Sequence, residues 1–233
     1  MTLPRPVYIC AAKRTPLGSF QGAFADVAAP QLGATAIQAA LAQAKLEADA
    51  VGEVFMGNVL SANIGQAPAR QASRFSGIGD AVPTTTISKV CGSGLQAVIF
   101  GAKTIALGDC DVVVAGGMEN MSRVPYYLAK ARSGYRMGNG ELIDGMIYDG
   151  LWDPYGDYHM GIAGELCATE LKIGREAQDD FARESYRRAI AAHSEGLFDN
   201  ELAAVEVPQR KGDALIVDQD EEPGRGRPDK FAS

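Results

Sequence analysis

The β-branched run Thr84-Thr85-Thr86-Ile87-Ser88-Lys89-Val90 stops at Cys91-Gly92-Ser93-Gly94, and apolar residues then recur at Leu95, Val98, Ile99, Ala102 and Ile105. The first pattern favours an extended strand; the second marks one face of a helix. So few residues between two different periods leave room only for a sharp strand-to-helix turn. A side chain at such a turn stands clear of its neighbours, and glycines beside it let the backbone bend and a second group come close. The residue at that point is a cysteine.

The chemistry of the position follows from the helix behind it. The first helical turn has unpaired N–H groups, whose partial positive charge favours a thiolate over a thiol. The same groups can stabilise an oxyanion on an attacked carbonyl. Lys89 either adds to this field or faces solvent. The competing reading makes Cys91 a small buried hydrophobe, the commoner fate of a free cysteine; spacing alone leaves both open. Cys10 and Cys110 sit at the edges of apolar runs without a glycine elbow, and Cys167 lies in a helical stretch, so all three are expected to serve packing. The four cysteines have no metal-like spacing and the chain has two histidines, so no metal site is expected, only free thiols of a reducing cytosol.

Elsewhere the chain alternates strand-like and helical stretches. Val7 to Ala12 reads as a buried strand before the basic turn Lys13-Arg14-Thr15-Pro16. After Pro30, Leu32, Ala36, Ile37, Ala40, Leu41 and Ala44 share a helical face. Glu53 to Leu60 is strand-like, Ala67 to Phe75 is a short helix opened by Pro68, and Asp111 to Ala115 is a strand ended by Gly116-Gly117. This alternation predicts an α/β fold with a mixed or parallel sheet covered by helices on both faces. Ser122 to Tyr158 reads as loops and short helices, a clear helix begins near Gln178, and a strand pair follows Val205. The expected division is a core over 1–118 and a loop-rich α+β unit over 119–233.

A net charge of −7 argues against a general polyanion-binding surface, so no nucleic-acid partner is expected. No uninterrupted apolar stretch approaches the roughly 20 residues of a membrane span, and Met1 to Tyr8 has no apolar signal core. No membrane contact and a cytoplasmic location are the corresponding expectations.

Ser88-Lys89-Val90-Cys91-Gly92-Ser93-Gly94-Leu95-Gln96-Ala97 resembles the acyl-enzyme motif of thiolases, the acetyl-CoA C-acyltransferases. Ala12-Lys13-Arg14-Thr15-Pro16-Leu17-Gly18, with Phe20 and Gly22, is similar to that family's N-terminal stretch. Gly57-Asn58-Val59 with Gly65-Gln66-Ala67-Pro68-Ala69-Arg70-Gln71 resembles the segment before its nucleophile strand, and Gly116-Gly117-Met118-Glu119-Asn120-Met121-Ser122 the motif closing its first half. The matches are colinear and spread along the chain.

The resemblance implies one half of a five-layer α/β/α/β/α fold, with most of an inserted loop domain. It implies that Cys91 takes an acyl group from acyl-CoA as a thioester. Claisen condensation with a second acyl-CoA follows, or the reverse thiolysis of a 3-oxoacyl-CoA. Coenzyme A is then substrate, with no permanently bound cofactor, and a homodimer or homotetramer is implied. Leu151-Trp152-Asp153-Pro154-Tyr155-Gly156-Asp157-Tyr158-His159-Met160-Gly161 resembles the loop-domain stretch that lines the pantetheine channel, which carries that role to Leu151, His159 and Met160. Arg225 or Arg227 stands where the family contacts the nucleotide end of CoA, in ambiguous register; the competing reading makes both solvated linker charges. Lys130, Arg132 and Arg136 resemble a basic loop that some bacterial thiolases have near the tetramer contact and the CoA entrance; the competing reading is a plain exposed loop. His193 is expected to be a solvated surface residue.

The family's activating histidine, second cysteine and oxyanion asparagine belong to its second half and have no counterpart here. The chain is therefore expected to be inactive alone and to need the C-terminal half of the fold. Uncovering ~1,000 Å² of apolar surface would forfeit on the order of 25 kcal/mol. Two other readings remain: a ketoacyl synthase-like condensing enzyme, and a non-catalytic thiolase-fold subunit or lipid-binding assembly module.

Overall fold

Val54, Phe55 and Met56 are consecutive and all buried, so both faces of their strand must be covered. In the computed structural model, which describes residues 4–227, 230 and 231, that strand is β1 (Glu53–Gly57). It lies at the centre of a three-stranded parallel sheet, between β2 (Thr84–Ile87) and β3 (Val113–Gly117). Phe55 stands opposite Thr85 on one side and Ala115 on the other.

Side chains alternate across a strand, and the two faces of β1 meet different helices. Val54 and Met56 pack with Ile37 and Leu41 of α1 (Ala29–Ala44) and with Ala69 and Ala72 of α2 (Pro68–Phe75). Phe55 packs with Ile87 and with Ala97 of α3 (Ser93–Leu107). The result is an α/β/α layering in which both helix layers feed the same short sheet.

Two expectations are corrected. Val7 to Ala12 is not a strand, and Tyr8 and Ile9 are 76% and 81% exposed. A strand needs a ladder partner, and among the described residues no strand pairs with this segment. It is held by side chains instead: Arg5 donates to the Cys110 carbonyl and Asp111, and Gln43 accepts from the Ala12 N–H. β3 does not stop at Ala115: Gly116 and Gly117 are its last two residues, paired with Met56 and Gly57.

The α3 face opposite Ala97 is bare, with Leu95, Ile99 and Leu107 exposed. The window Val90–Leu107, of mean hydropathy 1.4, is long and apolar enough to cross a membrane by length and composition. That qualifies the sequence expectation. In this fold the helix covers one face of the sheet.

Beyond Met118 the chain forms short hairpins and two long helices. β4 (Tyr126–Tyr127) pairs with β5 (Ile143–Asp144), a π-turn spans Ile147–Leu151, and β6 (Trp152–Asp153) pairs with β7 (Tyr158–His159). α4 (Met160–Glu170) and α5 (Arg175–Ser194) follow, then the hairpin β8 (Val205–Val207) and β9 (Leu215–Val217), and α6 (Glu221–Arg225). Val205 and Val207 join Phe24, Val27 and Leu32 in a small second core. This cluster ties β8 to the loop before α1.

Candidate active site

The turn between β2 and α3 is built by backbone strain and one hydroxyl. Val90 has φ 47°, a left-handed conformation that is strongly disfavoured for a β-branched residue. The Ser93 hydroxyl closes the loop by accepting from the Lys89 N–H at 2.7 Å and donating to the Val90 carbonyl at 2.6 Å. The Gly92 and Ser93 N–H groups donate to the Lys89 and Val90 carbonyls. Between these clamped residues, Cys91 is exposed. Among the described residues nothing buries Cys91, which departs from the buried-hydrophobe reading.

The sheet below supports the elbow at contact distance. A Cβ on Gly57 would lie 2.6 Å from the Ser93 carbonyl carbon and 2.7 Å from the Gly94 nitrogen. Only a glycine at the end of β1 lets the start of α3 settle this close. Among the described residues, the N–H groups of Gly94 and Leu95 donate to no carbonyl. These free first-turn amides aim the positive end of a 15-residue helix toward the cysteine's turn. Lys89 is engaged with Gln96 at 3.2 Å.

Because Ser93 is buried, Ser93→Ala would leave the Lys89 N–H without its acceptor. A loss of about 1–3 kcal/mol of stability is expected, measured by urea unfolding.

Cys91 opens into a cavity of about 830 Å³, within the usual range for small-molecule sites. Its walls are Lys13–Phe20, Gly57–Leu60, Met118–Ser122 and, from the loop-rich region, Met146, Gly150 and Leu151. The Glu119 carboxylate fixes one wall by accepting from the Asn58 side chain and the Val59 N–H, both at 2.8 Å.

Of the residues singled out in the sequence, the structure brings Leu151 into the same cavity as Cys91. His159 and Met160 are not part of its lining. His159 caps α4, its Nδ1 accepting from the Gly161 N–H at 3.0 Å, and Met160 begins that helix, partly exposed. Arg225 is occupied by Glu221 at 2.8 Å. Lys130, Arg132 and Arg136 lie in an exposed loop.

His193 is corrected: it is largely buried, with Nε2 2.9 Å from Asp220 and its ring against Phe198. Cys10 and Cys167 are corrected as well. Both are exposed, since nothing among the described residues covers the N-terminal segment or that face of α4.

Sequence reasoning missed the latch around Asp220. This carboxylate takes a bidentate contact from Arg14 at 2.6 and 3.0 Å, accepts from the Leu17 N–H at 2.8 Å, and faces His193. Arg14 also pairs with Glu201 and lies over the Phe198 ring. The basic turn was visible, but its acidic partner lies 206 residues away. Burial favours the neutral acid, yet Arg14, the Leu17 N–H and His193 outweigh it and hold the Asp220 carboxyl below its ordinary value.

With a depressed folded-state pKa, the Asp220 contribution is present above the unfolded value of about 4. It is lost as pH falls through the lower folded value. The latch should therefore release in acid; Asp220→Asn should be less stable at neutral pH and lose less on going to about pH 3. Urea midpoints across that range measure this.

The family model of the thiolase N-terminal domain matches residues 7–227. An acetyl-CoA acetyltransferase of Pseudomonas aeruginosa is 51% identical over 220 residues, covering 94% of this chain and 56% of that protein. Acetyl-CoA acetyltransferase 2 of Arabidopsis thaliana is 52% identical over 223 residues, covering 95% of this chain and 55% of its own length. An acetyl-CoA acetyltransferase of Cupriavidus necator is 52% identical over 215 residues, covering 92% and 55% respectively. The chain spans about half the length of the curated relatives it matches. A parallel sheet between two helix layers, an elbow cysteine above it and a match over nearly the whole chain agree, and the chain belongs to the thiolase family, as an N-terminal domain of that family.

Proposed function

We propose that this chain supplies the acyl-carrying half of an acyl-CoA C-acyltransferase. The observation that carries the reading is Cys91: exposed, at a strained elbow, beside free helix amides, in a cavity large enough for an acyl thioester. In the proposed reaction the Cys91 thiolate attacks the acyl-CoA carbonyl. The Sγ–C bond forms, the carbonyl–sulfur bond to CoA breaks, and the CoA thiolate leaves and takes up a proton. The thioester keeps the carbonyl activated, so one hard transfer becomes two easier ones. A second acyl-CoA, deprotonated at its α-carbon, then attacks that carbonyl and frees Cys91; thiolysis is the reverse.

Leu151, with His159 and Met160 farther along the same stretch, is proposed to border the pantetheine arm. The names of the relatives, acetyl-CoA acetyltransferases, support acetyl-CoA as the acyl donor. Among the described residues no histidine lines the cavity and no hydrogen bond reaches the Cys91 thiol. The activating base and the α-proton acceptor are therefore assigned to a complementary half, and residues 1–233 alone are proposed to acylate weakly or not at all. A cytoplasmic homo-oligomer completes the reading.

The test is labelled acetyl-CoA with residues 1–233, alone and fused to the complementary part of the Pseudomonas aeruginosa relative. Label on Cys91 of the fusion, released by added CoA, is the expected result. Absence of label from the fusion would overturn the enzyme reading and favour a non-catalytic assembly subunit.

A further inference from the structure

The Lys13–Phe20 wall of the Cys91 cavity is held from outside by three consecutive acids that the chemistry above does not use. Asp220 takes Arg14 and the Leu17 N–H. Glu222 accepts from the Ser19 hydroxyl at 2.8 Å and from the Tyr186 hydroxyl at 3.0 Å. Glu221 sits between them and has the most committed geometry. One oxygen, Oε2, accepts from the N–H groups of Ser19 and Ala23, both at 3.0 Å. The Glu221 N–H returns a bond to the Leu17 carbonyl at 3.0 Å.

A second feature shows that the turn is shaped around this carboxylate. The Gly22 N–H donates to the Ser19 carbonyl at 2.9 Å, so residues 19–22 curl into a tight loop. A Cβ on Gly22 would lie 2.2 Å from Glu221 Oε2 and 2.6 Å from Oε1. The carboxylate thus fills the space that any side chain at Gly22 would need. The Ala23 and Ser19 N–H bonds hold the Glu221 carboxyl below its ordinary value, so it is ionised at neutral pH. The inner side of this loop carries Leu17 and Phe20 on the cavity lining.

We propose that Glu221 is a positioning residue for the active-site wall: by gripping the Ser19–Ala23 turn it fixes Leu17–Phe20 and limits the size of the group that Cys91 can accept. The inference rests on the acyltransferase reading for its meaning, since the group in question is the acyl chain. Its geometry does not depend on that reading.

The test therefore uses alkylation, which needs no acyl donor. The full chain is treated with iodoacetamide and with the bulky N-(1-pyrenyl)maleimide, and modification of Cys91 is followed by peptide mapping. The exposed thiols Cys10 and Cys167, which do not line the cavity, are internal references. Glu221→Ala is expected to raise the bulky-to-small rate ratio at Cys91 about fivefold, the scale of one net hydrogen bond. Glu221→Gln keeps an oxygen acceptor for Ser19 and Ala23 and should stay within about twofold of the parent, on the same scale. Gly22→Ala, which crowds the carboxylate from the other side, should behave like Glu221→Ala and replaces it if that variant fails to fold. An unchanged ratio in the folded alanine variants, or Glu221→Gln departing as far as Glu221→Ala, would overturn the proposal. Failure of the fusion to form a thioester would sink the acyltransferase reading and leave the alkylation ratio to judge the wall.

Discussion

Cys91→Ala is expected to remove acyl label entirely from the fusion of residues 1–233 with a complementary thiolase half, a loss of at least about a thousandfold in rate. The reason is local. Among the described residues, Cys91 is the only thiol in the cavity lining, and Cys10, Cys110 and Cys167 lie outside it. No neighbouring residue of the cavity can take over the nucleophile's position on the elbow, because the turn lifts one residue and clamps those on either side. The control is the unfolding midpoint. Cys91 is exposed, so its replacement should change stability by no more than about 0.5 kcal/mol. Label that persists in Cys91→Ala would move the chemistry elsewhere in the chain.

Gly57→Ala carries the second large effect, and here stability and acylation should fall together. The added methyl would meet the Ser93 carbonyl carbon at 2.6 Å and the Gly94 nitrogen at 2.7 Å. Both are backbone atoms, so no side chain can rotate away. Either β1 or the start of α3 must shift, and overpacking of this kind costs about 3 kcal/mol. A shift of α3 also moves the free amides of Gly94 and Leu95 relative to Cys91, so thioester formation in the fusion should drop at least about tenfold. Gly79→Ala is the matched control: nothing lies within 4 Å of its added Cβ. It should stay within about 0.5 kcal/mol of the parent.

The elements that position the cysteine were legible in the sequence because their signals are local. The β-branched run, the glycine-flanked cysteine and the helical spacing after it together define β2, the elbow and α3. Pro68 at the start of α2 and the alternating coverage of Val54, Phe55 and Met56 follow from equally short-range rules.

What was not legible depends on partners far along the chain. Val7 to Ala12 has the composition of a strand, but strand formation is decided by a neighbour to pair with, and none is present among the described residues. His193 looked solvated because its helix is polar, yet Asp220, 27 residues on, draws it inward. The grip of Glu221 on Ser19 and Ala23 spans about two hundred positions and has no periodic signature. The strain at Val90 was also hidden, since nothing in the sequence marks a valine for a left-handed backbone.

The motif resemblance pointed to Cys91, Leu151, His159 and Met160 together, while the cavity unites only the first two. A stretch of chain can match a motif throughout and still place its residues in different surroundings. Leu151 ends the π-turn that faces the cavity. His159 and Met160 lie beyond the next hairpin turn, at the start of α4.

The measurement that bears most directly on the central claim is mass spectrometry of the Cys91 peptide after brief exposure of the fusion to acetyl-CoA. One acetyl group on Cys91, removed by excess CoA, is expected, with Cys10, Cys110 and Cys167 unmodified. Acetylation distributed over the exposed cysteines, or none on Cys91 while the fusion is folded, would contradict it.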